Sequence, residues 1–268
     1  MAGMLTDPAF TIPPVPTGGP AVGIRWLRRH VARFANGADH DRRRLQVTSV
    51  LAEADLAGLR RLAAEHTRAV LDDADGRPVD LMTRVARVVP IDVLVAALGL
   101  PSVRAGAVAV VAKAYQPGSG PEKPADEAVR ELVEAFGGST DESVAAKIAL
   151  LVQACDATAG LVGNAALAML RNTNRPVETV VAETLQQNPP VRMTRRLAAD
   201  TGTVVAVDLA ASGLPFGAGP HQCPGRDHAI AITTGILESV QGCRLAEDNN
   251  DYEPSAALRV PAKLAVVR

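Results

Sequence analysis

Aromatic side chains make up only 3% of this 268-residue chain, cysteine occurs three times, and neither sign of charge dominates, the formal net charge being −1 at pH 7. Each shortage excludes something. So few aromatic rings argue against an aromatic-rich β-sandwich and for helices built from small and straight-chain residues. Cys155, Cys223 and Cys243 are odd in number and far apart, so they make no disulfide framework. A balanced charge gives no global field for nucleic acid or an anionic membrane, and neither is expected as a partner. Residues 1–22 lack a basic start followed by an apolar core, which points to a reducing cytoplasm. What the chain has in quantity is aliphatic residue: at 47% hydrophobic it can bury a sizeable core.

Residues 1–20, rich in proline after Thr11, read as an extended lead-in, and residues 21–268 as a single, mainly α-helical domain. In "AVGIRWLRRHVARF" the spacing of Leu27, Val31 and Phe34 predicts an amphipathic helix with a basic side. Helical period continues from Asp41 to Asp73. The stretch "VDLMTRVARVVPIDVLVAALGLP" follows as one or two buried helices broken near Pro90. After the loop "YQPGSGPEKPADEA", residues Ser143 to Leu170 are apolar nearly all round. That run is long enough to span a membrane, but Asp156 at its middle and the absence of an aromatic belt favour a central core helix. "TGTVVAVDLA" is the one clear β-type run.

The stretch "LPFGAGPHQCPGRDHAIAI" places Cys223 in a tight loop of glycine and proline just before an apolar helix. A free cysteine is most often a small buried hydrophobe. A dinucleotide loop would need a glycine where Gln222 stands. Structural zinc or an iron–sulfur cluster would need about four soft ligands, more than three scattered cysteines supply. A single-thiolate metal site remains.

Phe216, Gly217, Gly219, His221, Cys223 and Gly225 stand in the order and spacing of the haem-ligand loop of the cytochrome P450 family, and the chain resembles that family. The resemblance implies a reduced P450-like helical fold with a small β component and haem (iron protoporphyrin IX) as cofactor, with Cys223 as axial iron ligand. "HDRRR" is similar to the family's H-x-x-x-R, which makes His40 and Arg44 partners of the haem propionates. Arg196 in "PPVRMTRR" and His221 complete that set. "QACDATAG" lies where the family has its A/G-G-x-D/E-T, placing Asp156 on the acidic position and making Asp156 and Thr158 the candidate catalytic residues. The implied activity is oxidation of a small organic substrate, as a monooxygenase or driven by peroxide. The arginines between Arg25 and Arg44 form a basic cluster that by resemblance docks a ferredoxin-type electron donor.

The chain also departs from the pattern. Ala157 occupies the family's threonine position, and Thr158 comes one residue later, about 100° round a helix. The family's Glu-x-x-Arg is Glu183-Thr-Leu-Gln186, a neutral amide in place of the arginine. Only Ser212 to Pro215 separates the β-type run from the haem loop. These changes leave a second expectation open, a divergent haem-binding accessory or sensor protein without monooxygenase activity.

Overall fold

Asp141 opens the longest helix: its carboxylate accepts the Val144 N–H at 2.9 Å and is held at a pKa of about 2, first by that backbone hydrogen bond and then by the Ser139 and Ser143 hydroxyls. The computed structural model describes residues 2–172, 175–247 and 251–268. Nine α-helices lie among them: α1 (Ile24–Arg29), α2 (Gly37–Ala52), α3 (Leu56–Asp73), α4 (Val89–Ala97), α5 (Ala105–Ala114), α6 (Glu122–Ala135), α7 (Glu142–Arg171), α8 (Val177–Gln187) and α9 (Arg226–Val240). Six short strands accompany them: β1 (Phe10–Thr11), β2 (Val79–Asp80), β3 (Met193–Ala198), β4 (Val204–Asp208), β5 (Arg244–Leu245) and β6 (Ala265–Val267). They form two antiparallel sheets in the orders β1-β3-β4 and β2-β6-β5. The expected mainly α fold with a small β component is the fold observed.

Helix α7 is the central core helix expected over 143–170, with most of its side chains buried against neighbours. It is the one described helix long and apolar enough to cross a membrane by length and composition, and 72% of that apolar window is buried inside the protein. Helices α3 and α9 approach backbone to backbone at Gly235, where a Cβ would overlap the Arg60 carbonyl oxygen. Neither partner is a flexible side-chain end, so the helices must separate to admit a methyl group. Gly235→Ala is expected to destabilise the protein by about 1–3 kcal/mol, read as a lower urea midpoint. An unchanged midpoint would show that the close approach carries no energetic weight.

Several local expectations are corrected. The lead-in includes a turn of 3₁₀ helix at Ala2–Leu5 and strand β1, with Leu5 and Ile12 buried; its Met1 lies outside the described residues. The helix expected through Phe34 stops at Arg29 and resumes as a 3₁₀ turn over Ala32–Phe34. The long period from 41 to 73 divides where Asp55 caps α3, accepting the Ala57 and Gly58 N–H groups. The break expected near Pro90 is present, between a π-helical turn over Met82–Ala86 and α4, and Pro90 lies in the first turn of α4, where its missing N–H leaves no intrahelical bond unmade. Strand β3 went unread because Met193–Ala198 carries two consecutive arginines, and pairing with β1 and β4 outweighs that weak β pattern.

Candidate functional site

Helix α7, the N-terminal part of α2, strand β3 and the loop before α9 enclose a cavity of about 1100 Å³. Its walls include every side chain named above as a catalytic, propionate or metal candidate: His40, Arg44, Asp156, Thr158, Arg196, Phe216, His221 and Cys223, together with Gly217 and Gly225. Gly219 lies just behind them. Its φ of 69° suits glycine, and a Cβ there would overlap the Leu5 carbonyl oxygen, so the loop can lie against the N-terminal turn only with glycine at 219.

The loop holds Cys223 by its backbone. The Cys223 N–H donates to the Phe216 carbonyl at 2.9 Å and the Gly217 N–H to the Leu214 carbonyl at 2.8 Å. Cys223 is an exposed residue and lines the cavity. Enclosure by the walls pushes its thiol pKa up, while the Gly225 N–H, hydrogen-bonded to the sulfur, and nearby Arg44 favour the thiolate. Cys155 and Cys243 are buried elsewhere and do not line the cavity.

One end of the cavity is strongly cationic. His40 and Arg44 come from α2, Arg196 from β3, His221 from the loop and Arg33 from the 3₁₀ turn before α2. The rings of His40 and His221 lie 4.1 Å apart. His40 takes Asp41 at 3.0 Å through Nδ1, and its Nε2 is buried without a hydrogen-bond partner. Burial, followed by His40, Arg196, Arg33 and Arg44, pushes the His221 pKa down to about 3. Burial, then Arg33, pushes Arg196 down to about 10. Among the described residues none of Arg33, Arg44 and Arg196 has a carboxylate within ion-pair distance; Arg196 finds only the Thr194 hydroxyl at 3.4 Å and the Arg195 carbonyl at 3.0 Å. Arg196 is buried and Arg33 and Arg44 are half-buried, and cations so placed without anions are unfavourable. A dianionic ligand at this end would neutralise two of these three charges and give His40 Nε2 a partner, so the residues present fit haem carboxylates.

On α7, Ala157 and Thr158 both line the cavity, although Thr158 is the more buried of the two. The one-residue offset therefore leaves the Thr158 side chain within reach of the cavity wall. Asp156 stands 3.6 Å from Arg87, which also binds Glu253 at 2.8 Å. Burial pushes the Asp156 pKa up and Arg87 opposes it. Sequence spacing had no means of finding Arg87 or Glu253, since they lie 69 positions before and 97 after Asp156.

Most arginines of the basic cluster have carboxylate partners or face the cavity. Arg28 is buried against Glu122, Arg25 also pairs with Glu122, Arg42 and Arg43 pair with Glu142, and Arg33 and Arg44 turn into the cavity. Glu122 and Glu142, which pair with four of these arginines, come from α6 and α7, about a hundred residues away, so a local charge count does not include them. Gln186 is exposed on α8, and Glu183 pairs instead with Arg175.

This arrangement, a long central helix passing over a cavity that a cysteine loop closes at the start of another helix, is the cytochrome P450 fold. Solved structures match it over nearly the whole chain. P450BioI in complex with hexadec-9Z-enoic acid ligated acyl carrier protein is 19% identical with a TM-score of 0.79, covering 100% of this chain and 89% of that one. CxnD, a cytochrome P450 for C–S bond formation in chuangxinmycin biosynthesis, is 16% identical with a TM-score of 0.79, covering 99% and 85%. Mycobacterium smegmatis CYP164A2 with econazole bound is 22% identical with a TM-score of 0.73, covering 99% and 88%. No protein-family model and no curated protein matches the chain.

Proposed function

We propose that the chain is a haem-thiolate oxidoreductase of the cytoplasm that oxidises a small organic substrate. The observation that carries this reading is the meeting, in one cavity, of an exposed cysteine with buried and half-buried cations that lack carboxylate partners among the described residues. Cys223 would ligate the iron, with the Gly225 N–H supporting its thiolate form. His40, Arg44, Arg196 and His221 would hold the propionates, and Phe216 would pack beside the sulfur. Bound haem with a thiolate ligand supplies the electron donation that favours O–O cleavage. Asp156 and Thr158 would hold protons at the cavity wall, with Arg87 fixing the position of the carboxylate. The electrons would come from a ferredoxin-type donor or arrive with peroxide.

Ala157 and the exposed Gln186 favour a second reading, a haem-binding accessory or sensor protein that performs no monooxygenation. Reconstitution tests the first step shared by both. Ferrous protein loaded with haem and exposed to carbon monoxide is expected to show the strongly red-shifted Soret band of thiolate ligation, and a folded protein that takes up no haem would refute both readings. Substrate oxidation then separates them. Hydrogen peroxide carries its own electrons and protons, so we expect it to support oxidation at least as well as dioxygen with a surrogate reductase. No product with either oxidant would favour the accessory reading.

A further inference from the structure

Leaving aside the exposed Arg195, the arginines on the cavity wall, Arg33, Arg44 and Arg196, are one guanidinium more than two cofactor carboxylates require. Arg44 and Arg196, with His40 and His221 as hydrogen-bonding neighbours, provide one guanidinium for each carboxylate. Arg33 remains. Its Nη2 reaches the Thr194 hydroxyl of β3 at 3.4 Å, its guanidinium lies 5.4 Å from the Phe34 ring centroid, and no carboxylate among the described residues pairs with it. Beside it stands Tyr115, directly after α5, which is 5% exposed and has its ring 5.1 Å from that of Phe34. The Tyr115 hydroxyl is buried and has no hydrogen-bond partner. Both side chains line the cavity.

A half-buried charge without a counter-ion and a buried hydroxyl without an acceptor are each unfavourable, and one ligand with two acceptor oxygens would relieve both. Burial raises the Tyr115 pKa, so the hydroxyl stays protonated and available as a donor. A guanidinium and a hydroxyl side by side match a carboxylate, one oxygen to each. Much of the remaining wall is aliphatic, with Leu94, Leu150, Leu161, Leu185, Ile232 and Val260, although Lys113, Gln153, Asp156 and Glu253 also line it. We propose that Arg33 and Tyr115 bind the carboxylate of a substrate that is a monocarboxylic acid with an apolar body. The assignment rests on the haem reading, because the cofactor accounts for the other cations.

Isothermal titration of the haem-loaded protein with dodecanoate, and with dodecanamide as its uncharged counterpart, tests this. The acid is expected to bind about ten- to hundred-fold more tightly than the amide, the range of a charge-assisted hydrogen bond. Arg33→Gln is expected to abolish that preference, Arg33→Lys to retain part of it, and Tyr115→Phe to weaken acid binding by about three- to ten-fold. The rate of haem transfer to apomyoglobin should be unchanged in all three variants. Equal affinity for acid and amide in the wild type would overturn the proposal. So would faster haem loss from Arg33→Gln, which would make Arg33 a cofactor partner. A wild-type protein that takes up no haem refutes the cofactor reading alone; the same titrations on haem-free protein then decide the role of Arg33.

Discussion

Cys223→Ser is expected to abolish the red-shifted carbon monoxide band of the haem-loaded protein, while Cys155→Ser and Cys243→Ser leave it unchanged. The contrast follows from position. Only Cys223, of the three cysteines, lines the cavity. Cys155 is fully buried on α7, where burial and then the neighbouring Asp156 carboxylate push its thiol up to about 12, so it is neither accessible nor ionised at neutral pH. Cys243 is buried after α9. A serine hydroxyl keeps the size of the group at 223 but is a far weaker acid and a harder, less electron-donating ligand. Retained Soret absorbance reports only that Cys223→Ser still holds haem; the diagnostic quantity is the position of the ferrous carbon monoxide band. A band that stays red-shifted in Cys223→Ser, or is lost in Cys243→Ser, would reject Cys223 as the ligand.

Arg196→Ala is expected to have the second largest effect. Removing one partner from a buried, hydrogen-bonded ion pair costs about 3–5 kcal/mol, so haem affinity should fall by a hundredfold or more. Arg44 is half-buried and better solvated, and its replacement by alanine should cost less. Arg29→Ala should change nothing, since Arg29 binds the Gly18 carbonyl outside the cavity. Haem-free protein supplies a second readout of opposite sign. There the Arg196 charge is buried without an anion, its pKa already lowered to about 10 by burial and by Arg33. Arg196→Ala without haem should therefore unfold at the same or a higher urea concentration than wild type. Equal haem retention in Arg196→Ala, Arg44→Ala and Arg29→Ala would contradict the propionate assignment. A large loss of stability in haem-free Arg196→Ala would show that Arg196 acts as a structural residue.

Legibility in the sequence followed the range of the interaction. The cysteine loop could be read because its chemistry is local: glycines at 217 and 219 with positive φ and the Cys223-to-Phe216 hydrogen bond all lie within eight residues. Helix α7 could be read because a nearly unbroken apolar run is buried wherever it packs. His40 and Arg44 are four apart on α2 and so share a face, which local spacing also predicts. The partners of the arginine cluster could not be read on the same ground, since the carboxylates that pair with four of its members lie on α6 and α7.

By itself, then, the sequence determined the helical class, the central helix and the candidate ligand, because composition, periodicity and turn chemistry are properties of short segments. The tertiary structure alone decided that Arg33 and Tyr115, 82 positions apart, share one cavity wall, that Arg87 reaches both Asp156 and Glu253, and that Gly235 lies on the Arg60 backbone. A charge's partner and a glycine's neighbour depend on which distant elements pack together, and packing is set by the whole core at once.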